Sequence, residues 1–248
     1  MPFSKGDFIL INYVGRVSET GEVFDTTSEE VAKKESVYQE GGLYEPSLVV
    51  IGEGWVLKAL DEGLLNLEPE TTGKIEIPAE KGFGNRDPDK IKLYPMRKLT
   101  ARGITPHVGM RLEVDGRLAT IRTMGSGRVL LDFNPPLAGK TLVYEVKVHK
   151  KLDKAEEKIA ALIHRRIPQA PIEKFTLEIG EDIVTVSVPE EAFYVEGLQI
   201  SKRGIFSDIQ KLFPEKKTVT FVETLKKQEP VAVPPASEQL AQSTQGSR

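Results

Sequence analysis

One stretch, residues 48–67 (LVVIGEGWVLKALDEGLLNL), limits the folds open to this chain more than any other. It begins with four apolar residues, Leu48 to Ile51, a length that suits a buried strand. Gly52-Glu53-Gly54 breaks that strand, and from Trp55 the period changes. Val56, Leu57, Leu60, Leu64, Leu65 and Leu67 recur at helical spacing, with Lys58, Asp61 and Glu62 expected on the polar side. A buried strand therefore turns sharply into a short amphipathic helix. One such helix cannot cover two sheets, but it suits the concave face of one strongly curved sheet.

The segments around it read as strands. Phe8 to Val17 is β-rich. Thr72 to Pro78 alternates Ile75 and Ile77 with polar residues. Thr141 to His149 alternates Leu142, Tyr144, Val146 and Val148 with polar partners. Residues 26–47 read as a long polar loop in which Ser28 caps a short helical turn. After Gly84 the chain is polar and turn-rich up to Pro95, and then three short strands follow. Asp115-Gly116 marks a two-residue type I′ hairpin turn and Ser126-Gly127 marks the next turn. Residues 151–226 read as helix, hairpin, helix, strand, a small α+β unit. The fold class expected is α+β throughout.

Composition narrows the chemistry. The chain has no cysteine, which excludes disulfides, thiolate metal sites and cysteine nucleophiles. Its three histidines, His107, His149 and His164, lack ligand spacing, so no metal site is expected. No nucleophile elbow or metalloprotease motif is present. Net charge is −3 but uneven. Residues 19–80 hold 15 acidic and 4 basic residues, and residues 86–132 hold 10 basic and 5 acidic. Solvated surface is the favoured reading of that asymmetry, so DNA is not an expected partner, while a ribosome or another acidic partner stays open. Without a long apolar run or a secretory leader pattern in MPFSKGDF, the expectation is a cytoplasmic protein with no membrane partner.

Four pieces of sequence carry a resemblance. They are Tyr13-Val14-Gly15 followed by Gly21-Glu22-Val23-Phe24-Asp25; Val50-Ile51-Gly52 through Ala59-Leu60-Asp61-Glu62-Gly63-Leu64; Pro78-Ala79-Glu80-Lys81-Gly82-Phe83-Gly84; and Asn134-Pro135-Pro136-Leu137-Ala138-Gly139-Lys140-Thr141-Leu142 with Val143-Tyr144-Glu145-Val146. In this order and spacing the chain resembles the FKBP-type peptidyl-prolyl isomerases, within them the SlyD-like branch, and most of all its long archaeal members. The resemblance covers residues 1–150. It implies an isomerase domain from 1–84 and 133–150, with a curved antiparallel sheet wrapped on a short helix. It implies a small all-β insert-in-flap domain at 85–132 that binds unfolded chains. A C-terminal α+β domain at 151–226 and a disordered tail at 227–248 complete the expected division.

The resemblance also implies site residues. Tyr13, Asp25, Phe83 and Tyr144 take catalytic positions, and Phe24, Val56, Leu57 and Leu60 take substrate-binding positions around the prolyl ring. Taken without the resemblance, the same set reads as ordinary core. Leu60 stands where the best-known human member has tryptophan, which opens the pocket floor and argues against tight macrolide binding. The histidine-rich tail for which SlyD is named has no counterpart here. The implied reaction is rotation about X-Pro bonds in peptides and unfolded chains, with no cofactor. Asp25 either acts electrostatically near the twisting carbonyl or orients Tyr13, the second being favoured. In the insert, Tyr94, Met96 and Leu99 are the candidate client-binding residues, since methionine adapts to varied surfaces. The competing reading is a non-catalytic holdase, ribosome-associated in one version. A third makes 151–226 a dimerisation or ribosome-docking domain.

Overall fold

The computed structural model describes residues 2–227, so the expected tail lies, but for its first residue, outside the described residues. The strand order is set by β1 (Phe8–Val17), a ten-residue strand rich in β-branched and aromatic side chains. One edge of β1 pairs antiparallel with β9 (Leu142–Leu152) from Phe8 opposite Leu152 to Val17 opposite Leu142. Its other edge is shared. β2 (Val23–Thr26) pairs with residues 14–16 and β3 (Ser47–Val50) with residues 8–11. β4 (Thr72–Ile77) lies on the far side of β9, making a five-stranded antiparallel sheet. A bulge between Leu10 and Ile11 interrupts the β1–β9 register, the kind of defect that bends a sheet.

The 48–67 stretch forms what its pattern predicts, a strand and then a helix, α2 (Lys58–Leu64). Seven residues are too few for a helix to be stable alone. It is held by burying Leu60 and Leu64 among Ile9, Ile11, Val49, Ile77, Leu142, Tyr144, Val146 and Val148. The alternating residues of β9 thus all face the helix. The loop 26–47 contains a short helix, α1 (Glu29–Lys34), capped by the Ser28 hydroxyl accepting from Val31 N–H at 3.4 Å.

The segment that follows β4 builds a separate four-stranded antiparallel sheet. It comprises β5 (Ile91–Pro95), a five-residue helix α3 (Met96–Thr100), β6 (Arg111–Val114), β7 (Arg117–Gly125) and β8 (Arg128–Asp132), in the order β5-β8-β7-β6. Both tight turns have positive φ at their two central residues (Asp115 53°, Gly116 72°; Ser126 51°, Gly127 71°), the type I′ pattern. β5 is a strand where the sequence reads as polar turn. It is an edge strand with Leu93 exposed, so its backbone pairing to β8 outweighs a pattern that shows little alternation. Leu99, a candidate client-binding residue, is completely buried among Leu112, Val114, Ile121 and Leu131 and offers no surface to a client.

The chain's contacts form two compact units, residues 1–165 and residues from 166 onward. Most of helix α4 (Ala155–Arg166) belongs to the first. There Lys158 lies over the Phe8 ring (5.2 Å), Arg165 over the Trp55 ring (3.9 Å), and His164 Nε2 meets Glu45 at 2.5 Å. The second unit contains β10 (Thr176–Ile179), β11 (Ile183–Val188), α5 (Leu198–Leu212) and β12 (Thr218–Glu223). β10 and β11 form the hairpin expected from Gly180-Glu181-Asp182. β12 pairs parallel to β11, which requires a crossover connection, and α5 supplies it. Val184, Val186, Ile205 and Ile209 are fully buried in this unit.

Since Leu64 is wholly buried, Leu64→Ala should cost about 2–5 kcal/mol. A urea titration should show a lower midpoint at unchanged slope; an unchanged midpoint would mean that α2 does not hold the sheet's concave face.

Candidate functional site

The site forms where β1 and β2 leave the regular ladder. Gly15 opposes Asp25 and Arg16 opposes Val23, so Phe24 is the extra residue of a bulge. Bulges re-aim side chains, and here the Phe24 ring turns back over the sheet. It reaches Gly15, where a Cβ would lie 2.7 Å from Phe24 Cζ. Gly15 is thus the space that Phe24 occupies, which explains the pairing of Tyr13-Val14-Gly15 with Val23-Phe24-Asp25. Phe24 meets the Tyr144 ring edge-on (5.6 Å between centroids, 83°), and Tyr13 meets the same ring at 5.7 Å. Such aromatic pairs favour tilted and edge-to-face geometry.

Tyr13 is fixed at both ends. Its hydroxyl donates to Asp25 Oδ2 at 2.8 Å. Its backbone N–H donates to Thr27 Oγ1 (2.8 Å), and its carbonyl accepts from Thr26 Oγ1 (2.9 Å). Thr26 and Thr27 are buried polar residues, although the sequence around them reads as a loop. Their adjacency to Phe24-Asp25 was the only available signal. Burial pushes the Tyr13 phenol well above its usual range, with the neighbouring Asp25 charge adding to the effect. Burial likewise pushes Tyr144 up to about 12, again with help from Asp25. Both phenols therefore stay protonated at neutral pH, and Tyr13 is a stable donor to Asp25.

The floor comes from α2 and the turn before it. Leu60 is buried, and Val56 and Leu57 pack half-buried against the same cluster as Tyr13, Phe24 and Tyr144. Leu57 is the N-cap residue of α2, so its N–H lies ahead of the helical hydrogen bonds. Asp61, expected on the polar side of this helix, is instead buried. Both its carboxylate oxygens accept the Gly52 N–H, at 2.9 and 3.1 Å. On so short a helix its side chain reaches back to the entering turn and fixes the approach of Val56 and Leu57.

Phe83 follows a single 3-10 turn (Ala79–Lys81) and is 42% exposed. It borders a cleft of about 450 Å³ with Phe24, Val37, Gln39, Arg111, Pro135 and Leu137 among its walls. Val37 and Gln39 come from the long loop after β2, and Arg111 opens strand β6 of the inserted sheet. Leu137 also packs against the main core beside Phe24 and Val56. Leu137 belongs to the Asn-Pro-Pro-Leu-Ala-Gly motif, whose spacing alone assigns it no role. Seven of the eight candidate residues thus form one connected constellation, joined by Leu137 and Gly15, and Phe83 borders a cleft that Phe24 also lines. Tyr94 and Met96 lie apart, half-buried in the inserted sheet. Among the described residues no group of three or more His, Asp or Glu side chains is arranged to hold a metal ion. None of the described helices is long and apolar enough to cross a membrane.

Similarity to known proteins follows the same layout. The short-type peptidyl-prolyl cis-trans isomerase of Methanocaldococcus jannaschii is 35% identical over 144 residues, spanning 58% of this chain and 90% of that relative. The chain belongs to the FKBP-type peptidyl-prolyl cis-trans isomerase family. The SlyD isomerase of Treponema pallidum is 29% identical over 120 residues, covering 47% of this chain and 68% of its own length. A 16 kDa FKBP-type isomerase of Escherichia coli is 27% identical over 109 residues, 42% of this chain and 72% of the relative. The family model described as FKBP26, IF domain matches residues 92–137, and that described as FKBP26_C-terminal matches residues 155–226. The SlyD-like affinity is consistent with both.

Two outcomes follow from this geometry. Gly15→Ala forces Phe24 away from a Cβ contact at 2.7 Å, so kcat/KM for an X-Pro peptide should fall roughly tenfold, the equivalent of overpacking strain of about 1–3 kcal/mol. An unchanged value would show that Phe24 does not shape the site. Second, Tyr144 keeps its proton to about 12 when folded, whereas an unfolded tyrosine loses it near ~10. Its stabilisation is complete below that lower value and is lost as pH rises towards the upper one. Tyr144→Phe should flatten the decline of stability over that window in a pH series of urea titrations.

Proposed function

We propose that the chain accelerates cis-trans rotation about X-Pro bonds of peptides and unfolded proteins, using the Tyr13–Phe24–Leu60–Tyr144 constellation as an apolar cup for the prolyl ring. One observation carries this reading. Four separate elements bring aromatic and aliphatic side chains together around a single phenol–carboxylate pair, Tyr13–Asp25.

The chemistry follows from the amide. Resonance makes the C–N bond partly double, with a barrier of ~18–20 kcal/mol. Rotation breaks no bond, so the task is to favour the twisted amide over the planar one. Water hydrogen-bonded to the carbonyl stabilises the planar, charge-separated form. Burial of the prolyl amide among Phe24, Val56, Leu57, Leu60 and Tyr144 removes that water. The Leu57 N–H, ahead of the first helical turn, holds a substrate carbonyl. Asp25 orients Tyr13 through the 2.8 Å hydrogen bond and does not transfer a proton. Phe83, standing open at the mouth, closes over the ring.

The inserted sheet is proposed to hold unfolded chains near this cup. Val108, Leu93 and Leu118 are 61–62% exposed there. Leu93 lies on the edge strand β5, whose free backbone edge can accept an added strand. Met96 borders a shallow groove of about 570 Å³ with Pro95, Arg97 and Arg128. A weak site tethered beside a catalytic one raises the local concentration of the captured chain. The same exposed aliphatic side chains would also suit a holdase without catalysis, and activity measurements separate the two.

Asp25→Asn and Phe83→Ala should each lower kcat/KM for an X-Pro tetrapeptide about tenfold, a loss of ~1.4 kcal/mol in transition-state stabilisation, with little change in melting temperature. Both side chains are exposed, so lost activity cannot be ascribed to a lost core. Wild-type rates in both variants would remove the pocket from the mechanism. A full-length chain inert on all X-Pro substrates would leave the holdase reading.

A further inference from the structure

Where the inserted sheet joins the isomerase fold, the chain buries a carboxylate that catalysis does not use. Asp132, the last residue of β8, is 2% exposed. Its Oδ1 accepts from Asn134 N–H at 2.9 Å and from Asn134 Nδ2 at 2.8 Å. Its Oδ2 accepts from Arg122 Nε at 2.9 Å and is paired with the Arg86 guanidinium. Asn134 in turn exchanges two hydrogen bonds with the backbone of Asp87, donating from Nδ2 to its carbonyl (2.9 Å) and accepting from its N–H (3.0 Å). The cluster therefore stitches the incoming crossing, Arg86-Asp87, to the outgoing one, Asp132 to Asn134. Arg122 adds the body of the inserted sheet.

Arg122 reaches the cluster because of a local defect. In the β7–β8 pairing Ile121 opposes Leu131 and Thr123 opposes Leu130, leaving Arg122 as the extra residue of a bulge. A bulge turns a side chain that the regular ladder would direct elsewhere. Nearby, Gly139 N–H donates to the Gly84 carbonyl at 2.8 Å, joining the crossings once more on the isomerase side. A buried carboxylate deprived of its cations loses most of what compensates its desolvation, so the cluster holds together or fails as a unit.

We propose that the Asp132 cluster is a clasp that fixes the direction of the inserted sheet relative to the prolyl cleft, and that Asp132 is a positioning residue for protein substrates but not for short peptides. The cleft wall itself points this way, since Arg111 of the inserted sheet lies with Phe24 and Phe83 along one cavity. The inference rests on the insert's proposed part in capturing unfolded chains. A tethered site helps only while its direction and distance suit the second site, and a loosened clasp spreads the captured chain over a larger volume.

The test uses the full chain, wild type and Asp132→Asn, with the insert-deleted chain (86–132 replaced by a short loop) as reference. Asp132→Asn keeps the shape but removes the charge that holds both guanidinium groups. Turnover of an X-Pro tetrapeptide should stay within about twofold, while catalysed refolding of a proline-limited protein should fall roughly tenfold, towards the insert-deleted level. The chain has no cysteine, so Glu76→Cys and Glu113→Cys allow spin labels on the outer sheet and on the insert. The interlabel distance should be narrow in wild type and broad in Asp132→Asn. Arg122→Gln, which leaves Asp132 paired with Arg86, should show the same changes to a smaller degree and serves if Asp132→Asn fails to fold. An unchanged distance distribution, or equal loss on both substrates, overturns the clasp. If insert deletion itself spares the protein substrate, the capture reading falls and the clasp's role falls with it. If deletion matters but Asp132→Asn does not, only the clasp falls.

Discussion

The structure depends on one burial: the α2 side chains Leu60 and Leu64 against the concave face of the β1–β9 sheet. Neither partner is stable without the other. A seven-residue helix is too short to persist in water, and a curved sheet with a bare apolar face cannot remain monomeric. Their contact also decides the site. It brings the residues ahead of α2, Val56 and Leu57, to the same rim as Tyr13 on β1 and Tyr144 on β9. Asp61 completes the arrangement by tying the helix to the Gly52 turn. The candidate site therefore lies at the edge of the core where the chain enters the helix.

Both the candidate site and the buried carboxylate cluster sit at departures from regular structure. Phe24 is the odd residue of one bulge and Arg122 of another. The first turns an aromatic ring over the cup, with room made by the missing side chain of Gly15. The second turns a cation towards the junction of the inserted sheet. Regular ladders supply rigidity, and single-residue defects in them redirect these two side chains.

Much of this was legible in the sequence. The change from apolar run to helical spacing in residues 48–67 predicts the strand, the turn and α2. The alternation of Leu142, Tyr144, Val146 and Val148 predicts which face of β9 meets it, and Asp115-Gly116 predicts the hairpin turn between β6 and β7. The remainder was hidden for physical reasons. β5 owes its existence to backbone pairing with β8, which leaves no trace in side-chain periodicity. Leu99, read as a surface residue beside the strands, fills the centre of the small sheet because a module of that size needs nearly every large apolar side chain inside. Asp61 reads as a surface charge, because what makes it internal is a turn whose geometry no pattern encodes. Phe24 was found by resemblance, but the bulge that aims it was not, since register is a property of two strands together.

The order of elements also has a consequence in time. β1 cannot find β9 until the chain has been extended past residue 152, more than 130 residues after β1 begins. The inserted sheet lies wholly between them: β6 with β7 and β7 with β8 close through two-residue turns, and β5 with β8 closes within the same segment. Local pairings form sooner than distant ones. On a ribosome, where the amino-terminal part is made first, the sheet with the exposed aliphatic side chains is complete while β1 and β9 are still unpaired. The molecule therefore exposes these aliphatic side chains before its main sheet is closed, and its own unfinished strands are the first unfolded chain within their reach.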